Sequence, residues 1–161
     1  MYVLLRDLNR LRRRLALGRP RAGSLALRHV DAGSCNGCEH ELNAVVGPFY
    51  DIQRHGLNIV ASPRHADALV VTGPVTTRML APLRTAYEAM PEPRLVIAVG
   101  DCALGCGLLC TPSEVVGRVE DVLPVAVRIP GCPPTPERIA EGLLEAMAAA
   151  RRRPQPGWDQ P

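Results

Sequence analysis

The run Leu95-Val96-Ile97-Ala98-Val99-Gly100-Asp101-Cys102 decides the fold. Five aliphatic residues in succession, with no polar residue at alternate positions, make a strand that is apolar on both sides. Such strands belong to parallel sheets covered by helices on both faces. The glycine after Val99 ends the strand, and a thiol follows at once in the loop beyond it.

Outward from this run the pattern repeats. Leu25 to Asp31, Leu57 to Ala61, Ala68 to Thr72 and Val125 to Ile129 read as strands. Between them lie helical spacings: Glu39 to Val46 with Leu42, Val45 and Val46 inward, and about Met79 to Met90. The last helix opens at Thr135-Pro136-Glu137 and carries Ile139, Leu143 and Met147 along one side. Thr111-Pro112-Ser113-Glu114 has capping-box spacing with proline at the first helical position, and predicts a helix there. Strand–helix alternation of this kind predicts an α/β chain, a three-layer flavodoxin-like fold with a parallel sheet.

Ahead of the sheet, Leu4, Leu8, Leu11 and Leu15 share one face of a helix over residues 4–17, with Arg6, Arg10 and Arg13 opposite. The expected organisation is a basic amphipathic helix and linker over 1–23, an α/β domain over 24–150 and a flexible tail over 151–161. The helix either packs on its own domain or docks on a partner or membrane surface.

A chain of 161 residues fits one ordinary domain. Aromatic residues make up only 3%, so the core is aliphatic, and platforms that stack nucleic-acid bases are excluded. The net charge of +3 is uneven: residues 1–28 hold eight of the nineteen basic side chains against Asp7 alone. All nineteen are arginine, and the remainder of the chain is acidic. No apolar run reaches the roughly 18 to 20 residues of a membrane span. The Leu-Ala-Leu run after Arg12-Arg13-Arg14 is too short for an export signal, so a cytoplasmic location is expected. There, six cysteines point to metal ligation or redox chemistry before structural disulfides.

Ligands of open parallel sheets gather at the carboxyl ends of the strands, and the cysteines follow three of those ends. Cys35 and Cys38 follow the first strand in Gly33-Ser34-Cys35-Asn36-Gly37-Cys38, Cys102 follows Gly100-Asp101, and Cys132 follows the last strand in Pro130-Gly131-Cys132-Pro133-Pro134. Cys106 and Cys110 share the loop of Cys102. Four thiolates at one edge suit an iron-sulfur cluster or a zinc ion. Structural zinc more often uses two CxxC pairs, whereas a redox dithiol needs only Cys35 and Cys38.

Five motifs in order, within about Leu25 to Leu144, resemble the small-subunit family shared by respiratory complex I and membrane-bound nickel-iron hydrogenases. They are Gly33 to Glu41, Thr72-Gly73-Pro74-Val75-Thr76, Met90-Pro91-Glu92-Pro93-Arg94, Gly100-Asp101-Cys102-Ala103 and Pro130 to Pro134. The Cys35-Asn36-Gly37-Cys38 spacing resembles the hydrogenase branch, the complex I branch having adjacent cysteines. Within that branch the chain is similar to the energy-converting group that includes formate hydrogenlyase.

The resemblance implies one 4Fe-4S cluster on Cys35, Cys38, Cys102 and Cys132, and an electron-transfer role within an oxidoreductase complex. It implies three kinds of partner: a large subunit carrying the nickel-iron site, a ferredoxin-like iron-sulfur subunit and integral membrane subunits, with no nucleic acid. The implied location is peripheral, on the cytoplasmic side of the inner membrane. No catalytic residue is expected in this chain itself, although Glu41 matches the family's glutamate and carries an implied proton-transfer or cluster-tuning role. The family's Gly-Gly pair after the third ligand is interrupted here by Cys106, but Cys102 keeps the Gly-x-Cys-Ala context. Two further readings are the equivalent subunit of a complex I-like quinone reductase and a zinc-stabilised binding module. His40 reads as a surface or subunit contact, Asp101 as a loop cap or partner contact, and His29, His55 and His65 receive no role.

Overall fold

The computed structural model describes residues 23–105, 107 and 113–152. The expected helix over 4–17, most of its linker, Cys106, Cys110, Thr111, Pro112 and residues 153–161 of the tail lie outside the described residues.

Strands β1 (Leu25–Asp31), β2 (Leu57–Ile59), β3 (Ala68–Thr72), β5 (Leu95–Val99) and β7 (Val127–Ile129) form a five-stranded sheet in the order β2-β1-β3-β5-β7. Every pairing in it is parallel. Counted among these strands alone, the order is the flavodoxin-like one, with a topological switch at β1 and β3. β4 (Val75–Thr76) and β6 (Val115–Gly117) make a small antiparallel ribbon.

The central strands explain the aliphatic runs: every residue of β3 and β5 is buried. Alternation sends Ala68, Val70, Leu95, Ile97 and Val99 to one side of the sheet. There they meet Leu42 and Val45 of helix α1 (Gly37–Val46), and Ile139, Leu143 and Met147 of helix α3 (Pro136–Arg152). Leu69, Val71, Val96 and Ala98 face the other side, against Leu83 of helix α2 (Thr77–Glu88), Val119 and Leu123. The result is the expected three-layer arrangement. Burying one Leu or Ile side chain in this way contributes about 1.5–3 kcal/mol.

One expected element is absent. From Ser113 the chain makes a turn and then β6, followed by a single 3-10 turn at Val119–Asp121. The capping-box residues lead into Val115-Val116-Gly117, whose β-branched pair suits an extended strand and whose glycine would end a helix within its first turns. The backbone carbonyl of Glu114 instead accepts hydrogen bonds from the Thr77 amide (2.9 Å) and hydroxyl (3.2 Å). The other differences concern length. α2 begins at Thr77 and ends at Glu88, β2 stops at Ile59, β7 begins at Val127, and α3 continues through Arg152 into the expected tail.

Candidate metal centre

Three loops leave the carboxyl edge of the sheet, and each is shaped by hydrogen bonds to its own or a neighbouring backbone. In the first, the Asp31 carboxylate at the end of β1 accepts from the amides of Gly33 (2.8 Å) and Ser34 (2.7 Å). The Ser34 hydroxyl oxygen accepts from the Asn36 amide at 3.1 Å. Asn36 adopts a left-handed conformation (φ 68°) and α1 starts at the next residue. Cys35 therefore lies in the turn and Cys38 in the first helical turn.

The second and third loops are tied to each other. Gly100 donates to the Ile129 carbonyl (2.8 Å) and the Asp101 amide to the Gly131 carbonyl (2.9 Å). The Gly131 amide returns a bond to the Asp101 carboxylate at 2.7 Å. Asp101 thus couples the loop of Cys102 to that of Cys132 across 30 residues of sequence. Further along the second loop, the Ala103 carbonyl accepts from Val119 at 3.0 Å.

The loops converge. A Cβ placed on Gly100 would lie 2.5 Å from the Sγ of Cys38, so the first and second loops touch there. A Cβ on Gly37 would lie 3.5 Å from the Sγ of Cys35 and 3.8 Å from Pro133, which brings the first and third loops together. A Cβ on Gly107 would collide with the Sγ of Cys102. Cys35 and Cys132 are exposed, Cys38 is half-buried and Cys102 is buried. The four thiols therefore run from the protein interior to its surface.

The Cys38 thiol is pushed up to about 12, first by burial, then by the charges of Glu39, Cys102, Cys35 and Cys132. The other three cysteines are thus close enough to oppose the ionisation of Cys38, and a cationic centre would reverse that opposition by holding the thiolate. Four soft sulfur donors and a glycine-lined approach to Cys38 fit an iron-sulfur group. Among the described residues, no three His, Cys, Asp or Glu side chains gather closely enough to hold a single metal ion.

Sequence reasoning missed one part of this edge. The Thr72 hydroxyl, fully buried at the end of β3, donates to Oε1 of Glu39, and its oxygen lies 2.9 Å from Nε2 of His29. His29 Nε2 stands 3.6 Å from Glu39 Oε1, and burial pulls its imidazole below the ordinary histidine value. Glu41 lies in the second turn of α1, which begins at Gly37, and the first-turn acid is Glu39. Glu41 is half-buried and His40 exposed. His29 received no role because its partner is 43 residues away, and the one available signal was Thr72, a polar residue closing an otherwise aliphatic strand.

The family described as "NADH ubiquinone oxidoreductase, 20 Kd subunit" matches residues 35–146, which include all four cysteines. The chain is 44% identical to the probable membrane-bound hydrogenase subunit mbhJ of Pyrococcus furiosus, over 74% of this chain and 71% of that protein. It is 43% identical to formate hydrogenlyase subunit 7 of Escherichia coli, over 76% of this chain and 50% of that protein. It is 45% identical to an NADH-quinone oxidoreductase subunit of Citrifermentans bemidjiense, over 67% of this chain and 63% of that protein. Among solved structures, a chain of an archaeal membrane-bound sulfane sulfur reductase superposes with a TM-score of 0.70 at 30% identity, covering 84% of this chain and 75% of that one. The [NiFeSe]-hydrogenase of Dm. baculatum shares the fold, with a TM-score of 0.64 at 19% identity, over 86% and 68%. The hydrogenase and NADH-quinone oxidoreductase relatives are subunits of oxidoreductase complexes, and the chain belongs to the NADH ubiquinone oxidoreductase 20 kDa subunit family.

Proposed function

We propose that this chain is the electron-transfer small subunit of a membrane-bound nickel-iron hydrogenase complex. It carries one 4Fe-4S cluster on Cys35, Cys38, Cys102 and Cys132, next to the active site of a large subunit. The observation that carries the reading is the convergence of four thiols from three loops at the carboxyl edge of the sheet, each close enough to disfavour the charge on Cys38. When bound, the cluster supplies one-electron transfer. The chain's own residues hold the loops: Asp31 shapes the first, and Asp101 locks the second to the third. Cys35 and Cys132, being exposed, mark the side on which a partner would seat. The similarity to a probable membrane-bound hydrogenase subunit supports a peripheral place on a membrane complex, and the neighbours we propose there are ferredoxin-like and integral membrane subunits. Among the described residues, no helix is long and apolar enough to cross a membrane.

The zinc-stabilised module is less well supported. Zinc binds thiolate at about 2.3 Å and needs its ligands gathered around one point. No three candidate ligands among the described residues gather so closely. One other reading has a specific observation behind it: 45% identity to a quinone reductase subunit supports the equivalent place in a complex I-like enzyme. The Cys35-Asn36-Gly37-Cys38 spacing favours hydrogenase. The test is to purify the intact complex anaerobically through a tag on this chain, and to measure nickel, hydrogen evolution from a reduced viologen, and quinone reduction. Nickel with hydrogen evolution supports the proposal. Quinone reduction without nickel would replace it with the second reading.

A further inference from the structure

Glu39 occupies a place that the ligation of a cluster does not by itself require. Its carboxylate is turned inward from the first turn of α1 onto the end of β3, with Oε1 on the Thr72 hydroxyl and Oε2 buried without a hydrogen-bond partner among the described residues. Only 16% of the side chain is exposed. Thr72 is in register with Asp31 on one side and Val99 on the other. Each of those residues opens a cysteine loop, and Gly100, next to Val99, is the residue against which Cys38 Sγ sits. The acid is therefore clamped at the centre of the edge that carries the four thiols, one residue from Cys38.

The hydrogen-bond chain has a defined sense. Thr72 has one proton, and with that proton on Glu39 its oxygen accepts from Nε2–H of His29. A neutral imidazole can supply that donor, and burial favours the neutral form. The chain thus fixes the direction of the carboxylate through the Thr72 hydroxyl and the imidazole behind it. A fixed anion beside a redox centre opposes the arrival of an electron, and the effect is larger at a partly buried site than in water.

From this arrangement we infer that Glu39, held in place by Thr72 and His29, is a potential-setting residue of the cluster, and that its carboxylate keeps the cluster's reduction potential low. The inference rests on the cluster reading above and adds to it which acid of the Cys38-Glu39-His40-Glu41 segment acts on the cluster and through which contacts.

The experiment is a potentiometric titration of the cluster followed by EPR, at fixed pH, on the anaerobically purified complex, with iron and sulfide counted in each sample. Glu39→Gln keeps the size of the side chain and an acceptor for Thr72 while removing the charge. It should retain the cluster and move the midpoint potential upward, on the order of tenfold in the reduction equilibrium, or about 59 mV for one electron. Thr72→Val, which releases the carboxylate, should move the potential the same way, and Thr72→Ser should restore the wild-type value. A potential unchanged in Glu39→Gln with full iron content would overturn the inference. If Glu39→Gln loses the cluster, an unchanged potential in cluster-bearing Thr72→Val would overturn it equally. Absence of any 4Fe-4S signal from the wild type would instead overturn the cluster reading on which it rests.

Discussion

Gly100 holds φ +90°, a conformation that side chains with a Cβ rarely adopt, and its missing side chain leaves the space into which Cys38 Sγ projects. Gly100→Ala therefore meets two penalties at once, backbone strain of about 1–3 kcal/mol and a collision with the Cys38 sulfur. Its expected outcome is loss of most of the iron per subunit. Gly37→Ala is the contrast, since its Cβ would stand in ordinary contact, 3.5 Å from Cys35 Sγ, and it should keep its iron. Colorimetric iron and sulfide analysis of the two variants checks both expectations. Asp101→Ala should cost about 1–3 kcal/mol by leaving the Gly131 amide without its carboxylate, and Asp101→Asn should cost less because its side-chain oxygen can still accept. Thermal unfolding of the intact complex reads the difference. At this scale the gathering of the four cysteines was legible, because their loops follow strand ends that hydrophobic pattern identifies. The residues that shape the loops were legible only in part. Asp101 was recognisable as a loop residue, but its bond to Gly131 spans 30 positions, and the Glu39–Thr72–His29 chain joins three elements that no local pattern relates.

Elements built on continuous burial were the easiest to read. β1, β3 and β5 span the residues that their aliphatic runs predict, because every side chain of β3 and β5 has a core to enter. The failure at Ser113 came from trusting a capping signal without the apolar periodicity that a helix must bury; the following residues pair with β4 instead. The last helix shows the opposite case. Thr135, Pro136 and Ile139 mark it correctly, and Gly142 in its interior costs about 1 kcal/mol of helix propensity relative to alanine. In the folded chain, a Cβ at Gly142 would stand 2.5 Å from the tip of Ile129 on β7, so the glycine permits α3 to approach the strand that leads to Cys132. Gly142→Val is accordingly expected to destabilise the protein by roughly 1–3 kcal/mol through overpacking, with loss of cluster occupancy alongside. A lowered melting temperature together with reduced iron content would bear this out, whereas unchanged stability would mean that Ile129 yields freely.

On the scale of the whole molecule, one sheet edge organises everything the chain does. Parallel strands deliver three loops to that edge, hydrogen bonds lock the loops together, and four thiols pass from the buried Cys102 to the exposed Cys35 and Cys132. This graded exposure suits a relay whose inner side is insulated and whose outer side meets a partner. The architecture was legible because strand–helix alternation admits few topologies, and the carboxyl edge is where such sheets bind their ligands. The chemistry of the proposed partner was not, since it depends on side chains outside this chain. The central claim is that Cys35, Cys38, Cys102 and Cys132, and no other cysteine, hold one 4Fe-4S cluster. The most direct measurement is iron and sulfide content with EPR on the anaerobically purified complex, comparing wild type with Cys102→Ser, Cys132→Ser and Cys106→Ser. The account predicts a 4Fe-4S signal from this subunit that disappears in Cys102→Ser and Cys132→Ser and persists in Cys106→Ser. Zinc in place of iron, or a signal lost only in Cys106→Ser, would contradict it.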